Sequence, residues 1–238
     1  MSLQYEIKRF ANDLVISVQQ SMDRGFKKTN YMVPMVMGIG VLLLGTGIYF
    51  GYRWYTVSRE QQAQKIFSEY MQDYGLAHKA NNAAEWQRIE ALFAYGYSTY
   101  RSSNIAPYFL AMQADVQLKQ GKHNEALATL NSLISALPSS SSMAPVFKTK
   151  HALISLDSKD ETIRNSGLQE LVAVARDTHY GYNDMALFYL GRYYWSQNNV
   201  DEAKKIWQEL VDMRLSDQTA APSPWVQEAQ QKLKQLTH

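Results

Sequence analysis

The sequence predicts an all-α protein: a single N-terminal transmembrane helix, then a stack of antiparallel helix pairs forming an α-solenoid, closed by a C-terminal capping helix. Three observations carry this. The 24 residues between Lys28 and Arg53 hold no charge. Beyond them, apolar residues recur at helical rather than strand spacing. Small residues then return at matching places in two segments, 107–138 and 184–215, as a stack of similar units requires.

Residues 1–28 form a cytoplasmic amphipathic segment. Leu3, Ile7, Phe10, Leu14, Val18 and Met22 recur every three or four positions, with Lys8, Arg9 and Asp13 off that stripe. Such a helix suits a membrane surface, or a cytoplasmic partner. Residues 29–55 are the anchor. An uncharged run of 24 residues reaches about 36 Å as a helix, enough for a hydrocarbon core of about 30 Å. Pro34 falls in the first turn, where its missing N–H costs nothing. Tyr31 precedes the run, and Tyr49, Tyr52, Trp54 and Tyr55 close it as an interfacial belt. The run is too long and too late in the chain for a cleaved signal, and it exits into Arg53-Trp54 without a small-residue cleavage site. Arg24, Lys27 and Lys28 outnumber Arg53 and Arg59 across it, which places the N-terminus in the cytoplasm. Gly47 and Gly51 make one G-x-x-x-G, a spacing that lets two such helices approach in a homodimer.

The same glycines do not cradle phosphate. Gly38 and Gly40 begin a dinucleotide fingerprint, but Leu43 stands where its third glycine belongs. Gly121-Lys122 lacks the Ser or Thr of a P-loop, and Val116 occupies the place of its first glycine. The net charge of +2 comes from interspersed acids and bases, so no nucleic-acid stripe is present. The absence of cysteine removes disulfides and thiol catalysis.

Residues 56–238 are expected to be a helical domain. Ala63, Ile66, Phe67, Tyr70, Met71 and Tyr74 mark one helix from Val57 to His78, broken near Asn81-Asn82. Trp86, Ile89, Leu92, Phe93, Tyr97 and Tyr100 mark the next. In a tetratricopeptide frame of about 34 residues counted from Pro107, Gly121 falls at the turn, Ala126 where the pair touches, and Pro138 at the end. A second frame from Asp184 puts Gly191, Ala203, Trp207 and Leu210 at packing places. Residues 145–176 form a degenerate pair stretched around Lys159–Asn165. The cap spans 223–236, with Ser223 as N-cap, Pro224 at the first helical position, and Trp225, Ala229, Leu233 and Leu236 on one face.

An N-terminal span, two helices and then such units resemble the YfgM family of ancillary SecYEG translocon subunits. The resemblance rests on YFLAMQADVQLKQGKHNEALATL (Tyr108–Leu130) and ALFYLGRYYWSQNNVDEAKKIWQEL (Ala186–Leu210). It runs from about Arg53 to the C-terminus. This chain differs in its amphipathic, basic segment before the span and in the insertion of its middle repeat. The resemblance implies a bacterial inner-membrane anchor and a periplasmic repeat domain. It also implies partners among Sec translocon subunits, periplasmic chaperones and secreted clients.

Little in the chain carries chemistry. His78, His123, His151, His179 and His238 are scattered without metal-ligand spacing and read as solvated side chains. No nucleophile elbow stands out. No enzyme, cofactor or metal is expected. Binding fits better. The first helix of each pair lines the inner face of a solenoid. A protein-binding groove is therefore expected from Tyr108, Ala111, Asp115, Leu118 and Lys119, from Lys148 and Lys150, and from Met185, Phe188, Arg192, Trp195 and Ser196. Phe188, Arg192 and Trp195 have the chemistry of binding hot spots; Phe188 and Trp195 are equally suited to packing on the cap. The expected function is a membrane-tethered, non-enzymatic interaction module in protein export. A scaffold subunit of a larger envelope complex is the alternative.

Overall fold

The computed structural model describes residues 3–25, 32–80, 82–138, 140–177, 183–216 and 223–236. Among the described residues all regular structure is helical: α1 (Leu3–Gly25), α2 (Met32–Ala80), α3 (Ala83–Thr99), α4 (Ala106–Lys119), α5 (His123–Ala136), α6 (Ala144–Leu156), α7 (Glu161–Arg176), α8 (Asp184–Ser196), α9 (Val200–Ser216) and α10 (Pro224–Gln235). The chain divides into two compact units, Met1–Ser58 and Arg59–His238.

In the first unit, Phe10, Val15 and Ile16 of α1 are exposed, while Leu14 and Val18 are half-buried. The side chains of Leu3, Ile7 and Met22 lie outside the described ones. The helix expected from Val57 to His78 is the C-terminal part of α2, whose 49 residues run without a break. Neither Gly nor Pro occurs in Arg53–Arg59 to interrupt it. Leu42, Leu43, Leu44, Phe50 and Trp54 are all more than half exposed. Thr46 donates its hydroxyl to the Leu42 carbonyl of its own helix. Among the described residues no helix is long and apolar enough to cross a membrane. The expected anchor begins in residues 29–31, outside the described ones, and the side chains of 32–36 lie outside them too. The described remainder is diluted by Gly38, Gly40, Gly45, Gly47, Gly51 and Arg53.

The second unit is a series of antiparallel helix pairs. The first joins α2, from Arg59, to α3 through aromatic rings, with Phe109 of α4 completing the cluster. Phe67 meets Phe109 edge-on at 5.1 Å, Tyr70 meets Phe93 at 6.0 Å, and Tyr74 meets Trp86 at 5.4 Å. These T-shaped contacts place the positive ring edge on the negative face. Polar bonds close the near end: Arg59 donates to the Thr99 carbonyl at 2.6 Å, and Glu60 accepts from Ser103 Oγ at 2.7 Å and Asn104 N–H at 3.0 Å.

Pairs α4–α5, α6–α7 and α8–α9 follow, each touching where a side chain is nearly absent. Ala114, Ala126, Ala152 and Ala203 are fully buried. Gly191 leaves room for the Trp207 indole: a Cβ there would stand 2.7 Å from Cδ1. Gly167 does the same in the middle pair, where a Cβ would lie 2.6 Å from the Ser155 Cβ and 2.8 Å from the Ala152 carbonyl. The α4–α5 and α8–α9 turns share one geometry. Gly121 has φ 73° and Asn198 φ 60°. The following N–H groups bond back alike, Lys122 to Gln117 O and Asn199 to Tyr194 O, both at 2.9 Å. Glycine and asparagine are the residues that enter this left-handed region most readily.

The middle pair starts its second helix differently: Asp160 caps α7, accepting from Thr162 N–H at 2.8 Å and Ile163 N–H at 3.3 Å. At α10 Ser223 takes the expected N-cap position, with an extended backbone. Pro224 opens the helix, but the Ser223 side chain makes no capping bond, and its hydroxyl is buried without a partner among the described residues. Packing rather than capping holds α10: Trp225 lies 5.5 Å from Phe188 and 5.4 Å from Tyr189.

Candidate protein-interaction site

The first helices of successive pairs are α2 (from Arg59), α4, α6 and α8, and the expected groove residues lie on the last three. Tyr108 is 41% exposed near the start of α4. Further along the same face stands Asp115, whose carboxylate is shared. Tyr74 of α2 donates its phenol O–H to Oδ2 at 2.7 Å, and the Lys150 ammonium of α6 approaches Oδ1 at 3.5 Å. This ladder ties three consecutive first helices side by side. Burial, together with the hydrogen bond and the charge of Asp115, pushes the Tyr74 phenol well above its ordinary value.

Lys119, one turn beyond Asp115, is exposed. Its ammonium lies 5.7 Å from the Trp86 ring centre and 6.0 Å from that of Tyr74. A cation held over ring faces keeps its charge in water and gains attraction from the rings. Lys148 is half-buried on α6.

At the last pair the expectation divides. Phe188 is 4% exposed, wedged between Trp207 at 6.3 Å and Trp225 at 5.5 Å. It belongs to the core, as the packing reading had it, and presents no surface to a partner. Counted back from the turn, Phe188 takes the place that Ala111 has in α4; α10 covers it. Arg192, in the place of Asp115, is exposed and lies over the Tyr189 ring at 5.4 Å. Trp195 is 41% exposed. One edge packs on Trp207 at 6.1 Å, and Lys232 of α10 sits 4.8 Å from its ring centre. Two opposite charges at equivalent places, Asp115 and Arg192, make the row polar along its length.

Sequence reasoning missed Tyr74, Trp86 and Lys232. Each joins the row from a helix outside the counted frames. It also missed the node that fixes α3 to α4 and α5. Glu90 accepts from Gln117 at 3.0 Å, Gln120 at 2.8 Å and Lys122 at 2.7 Å, and Gln117 accepts from Thr129 at 2.8 Å. Burial alone would raise the Glu90 carboxyl; the bonds from Lys122, Gln117 and Gln120 together outweigh it and hold the carboxyl below its usual range.

The expectation of solvated histidines is corrected at His151. Its Nδ1 lies 2.5 Å from Glu170 Oε2, joining α6 to α7, and the ring is largely buried. Among the described residues no group of three or more His, Asp or Glu side chains is placed to hold a metal ion. Gly47 and Gly51, outside the repeat unit, have open space where a Cβ would stand.

Buried small residues at each pair contact, a left-handed turn residue in the α4–α5 and α8–α9 pairs and a terminal covering helix are the marks of one repeat architecture. A family model for the tetratricopeptide repeat-like domain matches residues 28–237. The chain belongs to this family. Its helix pairs α4–α5, α6–α7 and α8–α9 are thus tetratricopeptide-like units, and a domain of this kind is a protein-interaction scaffold. Among curated proteins none matches the sequence. Similar solved structures include the nearly identical TPR-like repeats of a Podosopora anserina protein assigned to the kinesin light chains. One form shares 15% identity over 71% of this chain and 84% of its own, with a TM-score of 0.47. A second shares 15% identity over 71% and 85%, with a TM-score of 0.46.

Proposed function

We propose that this protein is a membrane-tethered, non-enzymatic interaction module that assists protein export. Its repeats would face the periplasm of a bacterium, where they recruit chaperones or secreted clients beside the Sec translocon. The observation that carries the binding reading is the row Tyr108, Lys119, Arg192 and Trp195. These four large, aromatic or cationic side chains lie on first helices of tetratricopeptide-like units and remain exposed. Tyr, Trp and Arg are enriched among the few side chains that carry most of the binding energy at protein interfaces.

The tether is supported by the uncharged residues 29–52 and by the bare side chains of Leu42, Leu43, Leu44 and Phe50. Arg24, Lys27 and Lys28 precede that run and favour a cytoplasmic N-terminus. Tethering raises the effective concentration of a weak binding row for chains emerging nearby, so tight intrinsic affinity is not required. The reading of a scaffold subunit differs in demanding permanent co-purification through a large apolar face.

The test is double charge reversal, Lys119→Glu with Arg192→Glu. Both side chains are exposed, so helicity should stay unchanged and melting temperature should fall only by the small worth of their ring contacts, while crosslinked partner is lost. Retention of the partner at wild-type yield would remove the row from the interface.

A further inference from the structure

Between α3 and α5, floored by α4, lies a trough of about 720 Å³. Gln113 of α4 opens into it. At 100° per residue Gln113 stands roughly 140° round the helix from Tyr108, so the trough is on a different face from the first-helix row. Its volume falls in the range of ligand sites. Among the described lining residues Arg101 is the only charged side chain, and none bears a carboxylate. The guanidinium lies over the Tyr97 ring at 5.9 Å and is exposed.

Four lining side chains, Arg101, Gln113, Asn131 and Ser135, have no side-chain hydrogen bond to any described residue. Gln113 and Asn131 belong to different helices, and each both donates and accepts. That is the pairing a peptide main chain demands, with one N–H and one carbonyl per residue. The α5 wall is built of small residues, Ser132 among them, so a main chain can approach it closely. Tyr97 adds an apolar surface.

We propose that this trough binds an extended peptide segment bearing a carboxylate side chain, with the carboxylate on Arg101 and the main chain between Gln113 and Asn131. It is a second docking face, independent of the row on α4, α6 and α8. A planar guanidinium matches a carboxylate through two parallel bonds. A free carboxylate would use Arg101 but leave both amides idle.

The test measures fluorescence anisotropy of labelled, end-blocked pentapeptides with a central glutamate, glutamine or lysine, added to the full chain in detergent micelles. The glutamate peptide should bind saturably, and its glutamine counterpart about tenfold more weakly. Arg101→Gln should erase that difference, and Ser132→Phe should block both peptides. Lys119→Glu, on the other face, should change nothing. Melting temperatures should not move, since Arg101 and Ser132 are exposed; if Ser132→Phe lowers its own, Ala128→Leu is the second blocking variant. Equal binding of the three peptides, an unchanged preference in Arg101→Gln, or no saturable binding at millimolar peptide would overturn the proposal. Glutarate competing as well as the peptide would overturn it too, leaving a small-carboxylate site.

Discussion

The Trp207 indole occupies the space that a side chain at Gly191 would fill, and its N–H donates to the Phe188 carbonyl at 3.1 Å. Trp207 is fully buried, so it cannot swing away from an added methyl. Gly191→Ala should therefore cost about 1–3 kcal/mol, the range for overpacking a filled core, despite alanine's better helix propensity. Chemical denaturation followed by tryptophan fluorescence measures it; a variant as stable as wild type would mean that the indole can move. Gly96 is in the same position against the Phe109 ring, where a Cβ would lie 2.5 Å from Cδ1. Gly191 was legible from its place in the second frame. Gly96 was not, because the first pair precedes the counted units, and Gly167 was hidden by the stretch around Lys159–Asn165. A repeat frame assigns packing roles only while its length is kept.

At the scale of elements, helix positions followed from apolar period and turn residues, because both are local. Two kinds of feature were not local. Phe188 and Ala111 hold equivalent places, and only the covering α10 decides that one is core. The Tyr74–Asp115–Lys150 ladder and the Glu90 node join residues of different helices, whose partners no spacing rule names. The Glu90 node has a measurable signature. Its carboxyl is held below the ordinary value of 4.5, so its contribution is present above that pH and is lost as pH falls through the folded value. Glu90→Gln should lower the melting temperature at neutral pH, and the gap to wild type should close below pH 4.5. A gap that stays constant in acid would show that the charge plays no part.

For the whole molecule, the sequence and the described structure meet least well at the start of α2. A helix crossing a bilayer is recognised by an unbroken apolar run, and here the run extends into residues outside the described ones. What the described part shows is a row of bare large apolar side chains, Leu42–Leu44 with Ile48 and Phe50. Water does not favour such a surface; lipid does. The full chain should stay with the membrane fraction through alkaline carbonate washing and leave it only in detergent. Release by carbonate would end the tether while leaving the repeat domain's binding row untouched.

That row is the central claim, and it is tested most directly by a photo-crosslinking amino acid placed at Trp195 in living cells. Trp195 is exposed on the same helix as Arg192, within a turn of it. The account predicts a crosslink to another protein, which disappears when Lys119→Glu and Arg192→Glu are combined in the same chain. Crosslinks confined to the chain itself, or a partner retained after both charges are reversed, would contradict it.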